Sequence, residues 1–216
     1  MSPERSFKSR EGSDYEHASW TAPRMSSRAD WAASEEVALR VRTLTAENLE
    51  LDLQDVRMES SFFDIGAESL DLLDVAFALE SEYKISFPRT DLLERATEHF
   101  GEDALVKDGL VTDLGLQLLR DGMPELNPDL IKPGLLDTDV AQNITVGSFA
   151  RITQRLIDAK AAFPRTCPDC GGTLVESEAM PEFECSSCGK IVPVPSGDEI
   201  LMQDLIDLHQ QTASGQ

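Results

Sequence analysis

Two short turns, Cys167-Pro168-Asp169-Cys170-Gly171 and Cys185-Ser186-Ser187-Cys188-Gly189, contain every cysteine of the chain, and fourteen residues separate Cys170 from Cys185. In each, a glycine after the second cysteine relieves a tight turn and lets backbone N–H groups point at sulfur. Four thiolates gathered in this way match the tetrahedral demand of a metal ion. All four are consumed, so the site is closed and lacks the open position a catalytic zinc keeps. Zinc is the expected ion. Iron is the alternative, since thiolates accept either metal. Two disulfides would also use four cysteines, but the reducing interior of a cell disfavours them. A redox role for one pair is weaker, because both pairs fit a single site.

Thr173, Leu174 and Val175, then Phe183, then Ile191 and Val192 supply short strands around these turns. Residues 164–195 therefore resemble a zinc ribbon, with Cys167, Cys170, Cys185 and Cys188 holding structural Zn2+. Beyond it, Ser196-Gly197-Asp198-Glu199 has the form of a capping box. Ile200, Leu201, Leu205 and Leu208 follow at helical spacing, which predicts a C-terminal helix and tail over 196–216.

The rest of the chain reads as mainly α. A helix is expected from Ala33, with Ser34 as cap, Glu35 and Glu36 at its positive end, and Val37, Val41 and Leu44 on one face. Leu49, Leu51, Leu53 and Val56 lead more loosely to Phe62 and Phe63. Then Gly66-Ala67-Glu68-Ser69-Leu70-Asp71 delivers a serine to the first turn of a second helix. Leu70, Leu73 and Phe77 recur along it, as do Val75, Leu79 and Tyr83, with acids between them. A serine there is either a plain helix cap or a handle for something larger.

Gly66-Ala67-Glu68-Ser69-Leu70-Asp71, with Asp74 one turn on, then Leu79-Glu80 and Phe87-Pro88, resembles the acyl carrier proteins. That family places its serine in Gly-x-Asp-Ser-Leu, followed by an acidic helix and an Ile-Pro-like ending. Glu68 replaces the usual aspartate and keeps its charge. The resemblance implies that Ser69 carries 4′-phosphopantetheine covalently and that a phosphopantetheinyl transferase attaches it from coenzyme A. It further implies a carrier, not an enzyme, presenting an acyl thioester to the acyl-loading and acyl-processing enzymes of fatty-acid or related biosynthesis. A phosphodiester on a helix-start serine would sit at the positive end of the dipole, beside unpaired N–H groups. Asp71, Asp74, Glu80 and Glu82 are, on this resemblance, the face that meets basic partners; the plainer reading is a solvated helix face.

A short third helix, from Thr90 to Ala96, would normally run quickly into the fourth. The fourth is recognisable only where Thr145 caps Val146, Phe149, Ile152 and Leu156, a stripe that Phe163 would extend. Residues 98–143 are thus an insertion, with an amphipathic helix expected over Leu110, Val111, Leu114, Leu118 and Leu119. The insertion either packs on the bundle as an appendage, or shapes the acyl-binding cleft or selects a partner. The expected organisation is a tail over 1–32, a four-helix carrier bundle with a helical insertion over 33–160, the small β ribbon, and the final helix.

Lys and Arg number 19 against 40 Asp and Glu, a net charge of −21. Such acidity excludes nucleic acid, whose phosphates demand basic patches. No stretch is apolar for long enough to span a bilayer, and no apolar run follows the first basic residues, so a soluble, cytoplasmic chain is expected. Two readings rival a fatty-acid carrier: an unmodified acidic zinc-ribbon scaffold, and a carrier of aminoacyl or polyketide units.

Overall fold

The computed structural model describes residues 22–23, 32–89, 92–123 and 126–214. In chain order these form α1 (Glu35–Asn48), α2 (Ser69–Tyr83), α3 (Leu92–Phe100), β1 (Val106–Lys107), β2 (Leu110–Val111), α4 (Asp113–Gly122), α5 (Asp137–Gln142), α6 (Val146–Ala161), β3 (Leu174–Glu176), β4 (Glu182–Cys185), β5 (Ile191–Pro193) and α7 (Gly197–Ser214). Most of the expected tail, and Thr90, lie outside the described residues.

Helices α1, α2 and α6 share one core, as the mainly α reading expects, whereas the buried residues of α3 belong to a second core with α7. Local chemistry sets their starts. Ser34 Oγ accepts from the Val37 N–H at 3.3 Å, and Thr145 and Ser148 cap one another at the head of α6. Val41, Val56, Val75, Leu79 and Val146 are sealed from solvent between the helices. Phe149 is the hub, with its ring 4.6 Å from that of Phe62 and 4.9 Å from that of Phe87. The two apolar series of α2 part company here. Val75 and Leu79 go inward, whereas Leu70, Leu73 and Phe77 stay exposed.

Between α3 and α6, the helical reading of Leu110 and Val111 is corrected. Asp108 and Gly109 both take positive φ, the geometry of a tight hairpin turn, so Leu110 and Val111 pair with Lys107 and Val106 as a strand. The helix starts later, at Asp113, where Thr112 Oγ1 accepts from the Gly115 N–H. Leu116, Leu118, Leu119 and Ile131 then form a second core that draws in Leu93 and Ala96 of α3 and Leu205 of α7.

Helix α7 joins the two cores, since Ile200 and Leu201 belong to the first. Its capping box forms as expected, with Glu199 Oε2 accepting from the Ser196 N–H at 2.7 Å. A buried bidentate pair locks it to α6: Arg155 Nε and Nη2 each donate to Asp204 at 2.7 Å, and both side chains are 3% exposed. Arg155 Nη2 also donates to the Pro23 carbonyl at 3.1 Å, beside buried Ala22. The segment expected to be a loose tail is therefore fastened to the fold at residues 22–23.

Burial pushes the Asp204 carboxyl upward, and the Arg155 hydrogen bonds oppose it. Arg155→Ala removes that opposition and is expected to cost about 3–5 kcal/mol in urea unfolding. Arg155→Met combined with Asp204→Leu should recover most of the loss, because well-packed apolar replacements of a buried pair are often neutral.

The last unit is a three-stranded antiparallel sheet in the order β3-β4-β5, with Glu176 opposite Phe183 and Phe183 opposite Val192. Phe163 does not extend the α6 stripe: it lies just after the helix and stacks on buried Phe183 at 5.3 Å, and the Arg165 guanidinium lies 4.3 Å from the same ring.

Candidate functional site

A turn tied to the head of α6 positions Ser69. Phe62 N–H donates to the Ile144 carbonyl at 3.1 Å, and Ala67 N–H closes back on Phe62 at 2.9 Å. Gly66 stands at φ +85°, the left-handed conformation that a side chain disfavours. Phe62 anchors the turn in the core while its neighbour Phe63 is 66% exposed.

The helix cap is Glu68, not the serine. The Asp71 carboxylate accepts from the Glu68 N–H at 2.7 Å, which leaves Ser69 as the first helical residue. Ser69 is exposed, and among the described residues its hydroxyl has no hydrogen-bond partner. It sits in the first turn, where the helix dipole and open N–H groups favour an anion.

Ser69, Leu72, Leu73 and Ala76 fall at i, i+3, i+4 and i+7, one face of the helix. The last three line a cavity of about 330 Å³. Its walls come from both cores and include Met123 at the end of α4, Ile152 of α6 and Leu205 of α7. Arg89, also on the wall, lies 4.4 Å above the Phe77 ring and donates to Glu80 at 2.6 Å.

The four acids differ in what they do. Asp71 serves the cap. Glu80 accepts from the Phe87 N–H at 2.7 Å as well as from Arg89, and Glu82 is gripped by Arg40 at 2.6 Å. Asp74 is exposed and has no partner among the described residues.

The sulfurs of Cys167, Cys170, Cys185 and Cys188 lie within 4.8 Å of one another, and the cysteines are unbridged. Cys167 is 3.8 Å from Cys188, and Cys170 is 3.5 Å from Cys185. A tetrahedron with metal–sulfur arms of about 2.3 Å has edges of about 3.8 Å, so the cluster fits a metal ion. The N–H groups of Cys188 and Ser187 draw the Cys185 thiol down to about 6. Cys170 is pushed up to about 12: the Gly172 N–H pulls it down, but the sulfurs of Cys188 and Cys185 outweigh that. Thiols this close share protons until a cation replaces them. Lys190 Nζ donates to Asp169 at 2.6 Å, tying the two turns together.

The cavity and the Arg155–Asp204 lock escaped the sequence reading. One trace of the lock was present: Arg151 and Arg155 repeat at i, i+4 within an apolar helix, and Asp204 and Asp207 repeat at i, i+3 in another.

The family described as "phosphopantetheine attachment site" matches residues 39–97, a span that includes Ser69. The acyl carrier protein of Clostridium acetobutylicum is 42% identical over 50 residues, which are 23% of this chain and 65% of that relative. Two acyl carrier proteins of Treponema pallidum, one of them from the Nichols strain, are 42% identical over 55 residues, 25% of this chain and 70% of theirs. The chain thus spans 65% of the Clostridium relative's length and 70% of the two others'. No solved structure matches. With that share of the Treponema proteins covered at 42% identity, the chain belongs to the acyl carrier protein family.

Proposed function

We propose that Ser69 is the attachment point of a 4′-phosphopantetheine arm and that the chain carries and presents an acyl group without catalysing a reaction itself. The observation that carries this reading is the Ser69 hydroxyl, exposed at the start of α2 and without a hydrogen-bond partner among the described residues. The arm supplies a thiol, which holds the acyl group as a thioester. Ser69 provides the oxygen for the phosphodiester, and the first turn of α2 provides its electrostatic seat. Leu72, Leu73 and Ala76 direct the apolar part of the cargo from that seat towards the cavity. The arm attached to Ser69 thereby shares one helix face with the cavity wall.

The partners on this reading are a phosphopantetheinyl transferase and the enzymes that load and process acyl groups, in fatty-acid or related synthesis. Zinc is the ion for the cysteine cluster, in a structural role. No described helix is long and apolar enough to cross a membrane, and we place the protein in the cytoplasm. Peptide mass spectrometry after incubation with a transferase and coenzyme A tests the assignment. An adduct on the Ser69 peptide is expected. Its absence there, from both treated and native protein, returns the chain to the scaffold reading.

Docking falls mainly to Asp74 among the four acids, with the exposed Leu70, Leu73 and Phe77 beside it. Asp74→Lys should slow transferase modification severalfold at low salt and much less at high salt, without a change in stability, because an exposed pair is worth about 0.2–1 kcal/mol and acts on encounter. Glu80→Lys should instead destabilise the fold by about 1.5–3 kcal/mol, since the Phe87 N–H loses a charged acceptor. Urea unfolding beside loading rates separates the two effects.

A further inference from the structure

The ribbon sits between α6 and α7, and its small core contains residues from both of its ends, Phe163 and Val194. Folding the ribbon therefore brings the end of α6 to the start of α7. On the α6 side the ribbon is fastened to the bundle by Lys160, whose Nζ donates to Glu176 of β3 at 2.6 Å and to the Tyr83 carbonyl at 2.7 Å. On the other side, α7 starts three residues after Val194, at Gly197.

That first turn is seated without slack. Gly197 N–H donates to the Ser86 carbonyl at 2.7 Å, and Arg89 N–H donates to Asp198 at 3.1 Å. A Cβ on Gly197 would stand 2.6 Å from Pro88 Cδ and 2.8 Å from the Ser86 oxygen. Pro88 and Arg89 line the cavity, and so do Leu201, Asp204 and Leu205 further along α7. One wall of the cavity thus hangs from a joint whose other half is the ribbon.

We propose that the metal-bound ribbon is a clasp that seats α7 over the cavity, so that occupancy of the four-cysteine site sets the cavity's affinity for an apolar chain. The proposal rests on the carrier reading only for the identity of the occupant. A ribbon without metal loses the core that holds Val194, and the first turn of α7 is then free to lift from Ser86–Arg89.

The test uses the full chain as Ser69→Ala, so that modification of the serine plays no part and the carrier reading can fail independently. Its probe is N-phenyl-1-naphthylamine, a neutral apolar fluorophore. The zinc-loaded chain should bind it at one saturable site. Stripping the metal with EDTA, or introducing Cys167→Ser with Cys188→Ser, should weaken binding at least tenfold and raise amide exchange across 197–205, while α1 and α6 stay protected. Gly197→Ala should reproduce the weakening with the metal still bound. Unchanged affinity after metal removal overturns the proposal. A zinc-loaded Gly197→Ala chain with undiminished affinity also overturns it, even if stripping the metal unfolds the whole chain. Lack of probe binding by the zinc-loaded chain overturns the site itself.

Discussion

Ser69→Ala will carry no prosthetic group under any loading condition, yet will unfold within about 0.5 kcal/mol of the unsubstituted chain. Loss of a capping serine costs about 0.5–2 kcal/mol, but here Glu68 and Asp71 make the cap and the hydroxyl stabilises nothing in the fold. Alanine is also the best helix former for the position. The expected result is therefore a clean separation, with intact mass showing no adduct and denaturation showing an almost unmoved transition. An adduct that persists in the alanine variant would move the attachment site elsewhere. A large loss of stability would give Ser69 a structural role.

The second large effect concerns the metal. One ion per chain is expected by elemental analysis, held by Cys167, Cys170, Cys185 and Cys188. Removing it should unfold the ribbon, whose core contains two of the ligands themselves, Cys167 and Cys185. Helices α1, α2 and α6 bury a separate core and should keep their amide protection. The pH dependence has a definite sign. The metal-bound state requires thiolates and so holds fewer protons than the metal-free chain; stability rises with pH and is lost on acidification. Cys185 is drawn down to about 6 and so favours the thiolate, whereas Cys170, pushed up to about 12, favours the thiol in the metal-free chain. Affinity should fall about tenfold per pH unit for each thiol that a proton reclaims. Chelator titration at several pH values reads this slope, and a pH-independent affinity would exclude thiolate ligation.

The sequence made legible whatever is decided within a turn or two of chain. The cysteine knuckles, the caps Ser34 and Thr145, the Ser196–Glu199 box and the Gly66–Ser69 approach depend on near neighbours, and each stands where its pattern put it. Periodicity was a poorer guide to which face is buried. Leu70, Leu73 and Phe77 have the spacing of a core stripe and are exposed, because α1 and α6 cover the other side of α2. Leu110 and Val111 fit a helix by spacing, but the turn at Asp108 and Gly109 commits them to a strand. Nothing in the spacing of Glu80 and Glu82 tells that Arg89 and Arg40 pair with them. The cavity was least legible, since Ala76, Met123 and Leu205 share no local pattern and meet only when three distant segments are assembled.

The long connection between α3 and α6 also bears on how the chain reaches its native state. Ser34 at the head of α1 donates to Gln154 of α6, and 120 residues separate them. The entropy of closing such a loop grows only with the logarithm of its length, at about 0.6 kcal/mol per doubling, so equilibrium tolerates the insertion easily. Rates respond differently, because contacts of high sequence separation are slow to form. The α1–α6 pairing should therefore be a late event, after the hairpin at Asp108 and the ribbon have formed from their near neighbours. The face of α1 that meets α6 then waits uncovered through most of folding, the interval in which such a chain is most exposed to aggregation.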